Sequence, residues 1–209
     1  GRRRRRRHAR CRCLLDAIAR GRGRFKGIAV VPNDVGRTEL ERLKAAGVIG
    51  VAFNATVHGI DHYTATAGLL RLLADLDLFI QVQVEHDQLV PLAPMLEQSG
   101  ARILIDHCGR PTPGAGLEQP GFQAVLALAH SGRAAVKLSG YQKFSAEAPP
   151  YSDVQPFVHA LIDAFTLDAC LWASDWPYLR APVRVDYGVL LAPVMRWFPD
   201  DAQRRRVLW

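Results

Sequence analysis

The sequence predicts an α/β protein built on a parallel sheet. Three observations carry this. Short apolar runs alternate with amphipathic stretches along the chain from Phe25 onward. Consecutive runs start about 23 to 35 residues apart, the length of one βα unit. Several runs are polar near their C-terminal ends, where parallel α/β proteins bind ligands. Six such strands are visible. A complete (β/α)8 barrel has eight, and the alternative is an open six-stranded sheet of Rossmann type. That alternative lacks its signature, because no strand leads into Gly-x-Gly-x-x-Gly or a P-loop.

Each element has its own local reason. Phe25 to Val31 is an apolar run rich in β-branched residues, ended by Pro32. Arg37 to Ala46 reads as a helix with Leu40 and Leu43 on one face and Gly47 past its end. Val48 to Asn54 is the next strand, Ala65 to Leu76 a Leu-rich helix, Leu78 to Glu85 a strand and Gln88 to Gln98 a short helix. Ala101 to Asp106 is a strand followed by a Pro/Gly loop over Gly109 to Pro120, and Gly121 to His130 is a helix. Ala134 to Ser139 is a strand. Val154 to Phe165 is the clearest helix, its apolar Phe157, Val158, Leu161, Ile162 and Phe165 making one stripe. Ala169 to Ser174 is the last strand, and helical segments follow near Val189–Trp197 and Asp201–Leu208.

The charge is unevenly spread. The chain of 209 residues has a net charge of +7, but residues 1–24 hold eleven Arg against one Asp, or +10, so the remainder carries 7 − 10 = −3. The body is therefore mildly acidic, and nothing in it signals nucleic-acid binding. Residues 1–12 are expected to be a disordered, Arg-rich segment and 13–209 the folded domain. The arginine block lacks the apolar core of a targeting signal, and it reads best as GC-rich DNA translated out of frame. No apolar run reaches the ~18 residues that span a bilayer. Cys11, Cys13, Cys108 and Cys170 make no disulfide framework, which points to a reducing cytoplasm. Cys11-Arg12-Cys13 has no second pair to complete a zinc site.

The candidate chemistry collects at the strand ends. On Leu78–Glu85, Gln81, Gln83 and Glu85 share one face by period two; on Ala134–Ser139, Lys137 and Ser139 do so; Asn54 ends the second strand; Asp106-His107 ends the fourth. Asp175 stands at the end of the last strand, where Pro177 stops it. Alone, Asp175 reads equally well as a turn cap. Together these residues describe a polar mouth over a parallel barrel, the alternative being edge strands with one wet face. His107 is the candidate acid/base or electrophile. Lys137 pairs with Glu85 or holds a substrate carboxylate, the two readings standing level. Tyr141 and Lys143 either contact an anionic ligand or lie on an exposed loop. His86, Asp87 and Asp106 read as supporting or capping residues, and His58, His62, His130 and His159 as loop or surface residues.

Three of these stretches carry a family resemblance. Ile105-Asp106-His107-Cys108-Gly109-Arg110-Pro111, Val136-Lys137-Leu138-Ser139-Gly140 and Leu171-Trp172-Ala173-Ser174-Asp175-Trp176-Pro177 resemble the amidohydrolase-related branch of the amidohydrolase superfamily, and within it the 2-pyrone-4,6-dicarboxylate lactonase group. Gly121-Phe122-Gln123, Arg24–Val31 and Arg204-Arg205-Arg206-Val207-Leu208 fit as well. The resemblance implies a distorted (β/α)8 TIM barrel of which the six strands are the third to eighth. It implies that Asp175 activates the hydrolytic water, that His107 lies near the substrate carbonyl, and that Lys137, Ser139 and Tyr141 belong to the substrate region. It also implies a small-molecule lactone substrate and no cofactor, since this group typically works without the divalent metal, such as zinc, used elsewhere in the superfamily.

The departures are specific. The His-x-His pair of the family's first strand is absent from the text before Cys13, so two βα units, roughly 60 residues, are expected to be missing. The chain also stops at Trp209, short of the family's usual closing segment. Ala52 stands where many relatives have an arginine for a substrate carboxylate, and Lys143 where an arginine is common. The expected function is a hydrolase opening a lactone or cyclic ester. The alternatives are an inactive barrel fragment and an arginine-arm nucleic-acid binder; the expected partners are a small-molecule substrate and further copies of the chain, a homo-oligomer through open sheet edges.

Overall fold

In a computed structural model the described residues run from 11 to 208. The arginine block over residues 2–7 and Arg10 lies outside them. The elements, in order, are α1 (Arg12–Arg20), β1 (Gly27–Ala29), α2 (Arg37–Ala45), β2 (Val48–Asn54), α3 (Ala67–Asp75), β3 (Phe79–Gln83), α4 (Ala93–Gln98), β4 (Arg102–Ile105), α5 (Pro120–Leu128), β5 (Ala134–Leu138), α6 (Gln155–Phe165), β6 (Cys170–Trp172), α7 (Tyr187–Trp197) and α8 (Asp201–Leu208). The strands form one sheet in the order β1-β2-β3-β4-β5-β6, the order in which the chain makes them. This is the parallel, sequential arrangement of an incomplete (β/α)8 barrel, and an open sheet with a reversal of strand order is not formed.

The chain divides into two compact units. The first comprises residues 11–82 and 95–103. Here β1 and β2 pair in parallel, Ile28 opposite Gly50 and Ala29 opposite Val51. Leu40 and Leu43 of α2 are buried as their spacing requires, as are Leu69, Leu70 and Leu73 of α3. Helix α1 is a finding that the arginine-rich text conceals. Leu14 and Ile18, four residues apart, lie on one face and pack toward β1. Their approach is close: a Cβ on Gly27 would stand 2.7 Å from Ile18 Cδ1 and would push these side-chain ends aside. The stretch at 88–92, expected to be helical, is a series of turns, and α4 begins only at Ala93.

The second unit comprises residues 83–94 and 104–208. Strands β5 and β6 are parallel, with Val136 opposite Cys170 and Leu138 opposite Trp172. On β5, Ala134, Val136 and Leu138 are buried while Lys137 is not, the alternation that its sequence shows. Helix α6 buries Phe157, Val158, Leu161 and Phe165, and Phe157 meets Phe122 of α5 edge-on at 4.9 Å. Among the described residues no helix is long and apolar enough to cross a membrane.

Candidate functional site

The site lies in the second unit, at the C-terminal ends of β4, β5 and β6. The chain leaves β4 through Asp106 and then takes an unusual course. His107, Cys108, Gly109 and Arg110 have φ of 52°, 56°, 74° and 47°, one turn wound left-handed. Gly109 N–H donates to the Asp106 carbonyl (3.0 Å) and Arg110 N–H to that of His107 (2.8 Å). Each non-glycine residue there costs about 1–2 kcal/mol, and such cost persists where surrounding structure imposes it. The turn drives the His107 side chain inward, where the residue is 5% exposed. Gly140 lies against it: its φ is +72°, and a Cβ would stand 2.6 Å from the imidazole.

Both ring nitrogens of His107 have partners. Nδ1 is 2.9 Å from the buried Ser139 hydroxyl, and Nε2 is 3.4 Å from Asp175 Oδ1 and 3.5 Å from Asp106 Oδ2. Two carboxylates facing Nε2 assign the proton to that nitrogen, and Nδ1 then accepts from Ser139. Burial lowers the imidazole pKa below its usual value. Asp106 and Asp175 oppose that shift, while Lys143 and Lys137 add to it. His107 is therefore a neutral donor near pH 7.

Each carboxylate has a lysine. Lys137 Nζ is 3.2 Å from Asp106 Oδ1, and its side chain is 24% exposed. Lys143 Nζ is 3.1 Å from Asp175 Oδ1 and 2.9 Å from Oδ2, its side chain 7% and that of Asp175 12% exposed. Gln142 Nε2 donates to Asp175 Oδ2 at 2.7 Å. Gln142 and Lys143 sit on a one-turn helix, Tyr141–Phe144, directly after Gly140. Asp175 itself has φ of 58° just beyond β6.

The expected site residues separate on inspection. Asp175, His107, Ser139 and Lys137 come together with Asp106, which the sequence suggested only as a support. Lys137 pairs with Asp106 and not with Glu85. Glu85 Oε2 instead lies 3.0 Å from Arg110 Nη2, because the left-handed turn carries Arg110 there. Gln83 ends β3, half-buried. Tyr141 is corrected from substrate contact to core: it is fully buried, gives its hydroxyl to the Leu138 carbonyl (2.9 Å) and packs edge-on against Trp197 at 5.0 Å. Burial holds its phenol protonated, well above the usual pKa. Asn54 belongs to the first unit. There its side chain accepts from the Thr56 hydroxyl (2.7 Å) and its N–H donates to the Tyr63 hydroxyl (2.8 Å). Asp87 accepts from Gly121 N–H at 2.8 Å, a capping role at the start of α5. Cys108 is buried with its thiol pushed up to about 12 by desolvation, so it is no nucleophile. The missed residue is Gln142, whose only sequence signal is its place two residues after Gly140.

A sequential parallel sheet with its polar cluster at the strand ends defines the TIM-barrel class of protein, here in incomplete form. The chain belongs to the amidohydrolase family, whose model matches residues 3–209. It is 32% identical over 201 residues to a 4-sulfomuconolactone hydrolase of Hydrogenophaga intermedia, covering 93% of this chain and 66% of that protein. It is 35% identical over 204 residues to a 4-sulfomuconolactone hydrolase of Rhizobium radiobacter, covering 93% and 67%. Among solved structures it resembles a protein described as a probable 2-pyrone-4,6-dicarboxylic acid hydrolase of Acinetobacter baumannii, crystallised with citric acid. That match has a TM-score of 0.82 and 26% identity, and covers 95% of this chain and 75% of the other. The chain thus spans about two thirds of the length of the curated relatives it matches.

Proposed function

We propose that this chain carries the water-activating centre of a hydrolase that opens a small lactone to an open-chain acid. The observation that carries the reading is the Asp175–His107 contact, 3.4 Å between Oδ1 and Nε2, in a buried cluster at the strand ends. A water beside Asp175 gives a proton to the carboxylate as its oxygen attacks the lactone carbonyl. The neutral Nε2–H of His107 is the donor for the carbonyl oxygen as it gains charge, a contribution commonly worth about 3 kcal/mol. When the ring C–O bond breaks, the proton on Asp175 passes to the departing alkoxide. Ser139 keeps His107 in the required tautomer. Lys137, the more exposed of the two lysines, supports an acidic group on the substrate. That relatives carry names for sulfonated and dicarboxylated lactones favours such a group.

The described donors do not fit a divalent ion. Asp106 and Asp175 already face the ammonium groups of Lys137 and Lys143, and no group of three or more His, Cys, Asp or Glu among the described residues could hold one. All four cysteines are free, which suits a reducing cytoplasm.

The test is hydrolysis of 4-sulfomuconolactone, 2-pyrone-4,6-dicarboxylate and simple lactones by the intact chain and by Asp175→Asn. Loss of a general base lowers kcat by about 10²- to 10⁴-fold. Equal rates in the two proteins would overturn the reading.

A further inference from the structure

We infer that Gln142 is a positioning residue for the Asp175 base, holding one carboxylate oxygen so that the other faces His107. This rests on the hydrolytic reading above. Gln142 is 6% exposed, and its Nε2 donates to Asp175 Oδ2 at 2.7 Å, the shortest contact that Asp175 makes among the described residues. The assignment of the carboxamide is not arbitrary. Turned over, it would set Oε1 against a carboxylate, acceptor against acceptor. Held as it is, Oε1 is buried with no hydrogen-bond partner among the described residues. Burying an unmatched acceptor is costly, and an apolar side chain of the same size would avoid that cost. The residue is explained if its donor arm is what the site requires.

Lys143 does not make Gln142 redundant. Its ammonium lies near both oxygens, at 3.1 Å and 2.9 Å, and so neutralises the carboxylate without choosing between them. Gln142 touches only Oδ2, and Oδ1 is the oxygen that lies 3.4 Å from His107 Nε2. A half-turn about the Cβ–Cγ bond returns an equivalent carboxylate, so what matters is the tilt of its plane: Gln142 on Oδ2 and His107 at Oδ1 hold that plane from its two ends, and smaller rotations weaken one contact or the other. A misplaced base loses rate steeply, a displacement of 1 Å costing up to about 10²-fold.

The experiment has two arms. In the intact chain labelled with 15N-glutamine, Gln142→Leu identifies the Gln142 side-chain amide resonance, and Asp175→Ala should move that resonance to the position of a solvated amide. A Gln142 resonance unmoved by Asp175→Ala overturns the proposal whatever the turnover. In the kinetic arm, Gln142→Leu should lower kcat about 10- to 100-fold with KM within about 2-fold, and should lower nothing further on an Asp175→Ala background. Gln142→Met repeats the measurement should the leucine variant fold poorly. Equal losses in both backgrounds would mark Gln142 as merely structural and overturn the proposal. A wild-type rate no higher than that of Asp175→Ala overturns the hydrolytic reading, and this role with it, while the amide resonance still reports whether the contact exists.

Discussion

His107 faces two carboxylates that look alike in the sequence and are held differently. Asp106 continues directly from β4 and meets one lysine through one oxygen, and that lysine is 24% exposed. Asp175 sits in a left-handed turn beyond β6 and is held at both oxygens by a lysine that is 7% exposed, with Gln142 on one of them. The first arrangement balances a charge while leaving its cation in reach of solvent. Both carboxylates are removed from water, Asp106 at 8% and Asp175 at 12% exposed, so the difference lies in their partners: the second arrangement engages both oxygens and fixes the direction of the carboxylate, as the base proposed above requires.

This contrast should appear first in stability. Lys143→Met leaves Asp175 nearly buried without its cation, and breaking a buried pair in this way costs about 3–5 kcal/mol. Lys137→Met also strands a buried carboxylate, Asp106 being 8% exposed, but the ammonium it removes is wetter and water entering its place recovers part of the loss, so its cost lies at the lower end, about 3 kcal/mol or less. Urea unfolding of both variants measures the gap. Equal losses would mean that the two carboxylates are held alike. Adding Asp175→Asn to Lys143→Met should recover part of the loss, because the stranded charge is then gone.

The next effect lies in the pH dependence between the two carboxylates. Burial puts the folded-state pKa of His107 below the ordinary 6.5 that applies to the unfolded chain. Between those two values the unfolded state binds more protons, so stability falls as pH drops through that window and recovers as pH rises above it. His107→Gln should flatten this part of the profile of unfolding free energy against pH. Parallel profiles for the two proteins would show that His107 is not held neutral between Asp106 and Asp175.

The smallest effect is at Cys108, inside the same turn. Its thiol, pushed up to about 12 and buried, should resist a thiol reagent at pH 8 in the folded protein, while the exposed Cys13 reacts. Cys108→Ala should leave kcat within about 3-fold, as expected of a residue that packs without touching the chemistry. Rapid labelling of Cys108 in the native protein would show that the turn opens and that the His107 geometry is not fixed.

The alternation of strand and helix was legible in the sequence because burial imposes it residue by residue. Period two on β5 and the apolar stripe of α6 follow from which side chains must leave water. Candidate chemistry was legible to the same extent: Asp175 and His107 are polar groups at strand ends, where an apolar pattern breaks. Helix α1 was obscured because its apolar residues, Leu14, Leu15 and Ile18, follow directly on the arginine-rich text and span little more than one turn. What tertiary structure alone decided is direction and partnership. Gly140, at φ of +72°, turns the chain so that Tyr141 enters the core while Gln142 and Lys143 reach Asp175. The left-handed turn after Asp106 sends Arg110 to Glu85 and leaves Lys137 for Asp106. Spacing along a strand shows which residues share a face. Contacts between residues more than 30 apart, such as Gln142 with Asp175, depend on backbone turns whose local cost only the packed protein repays.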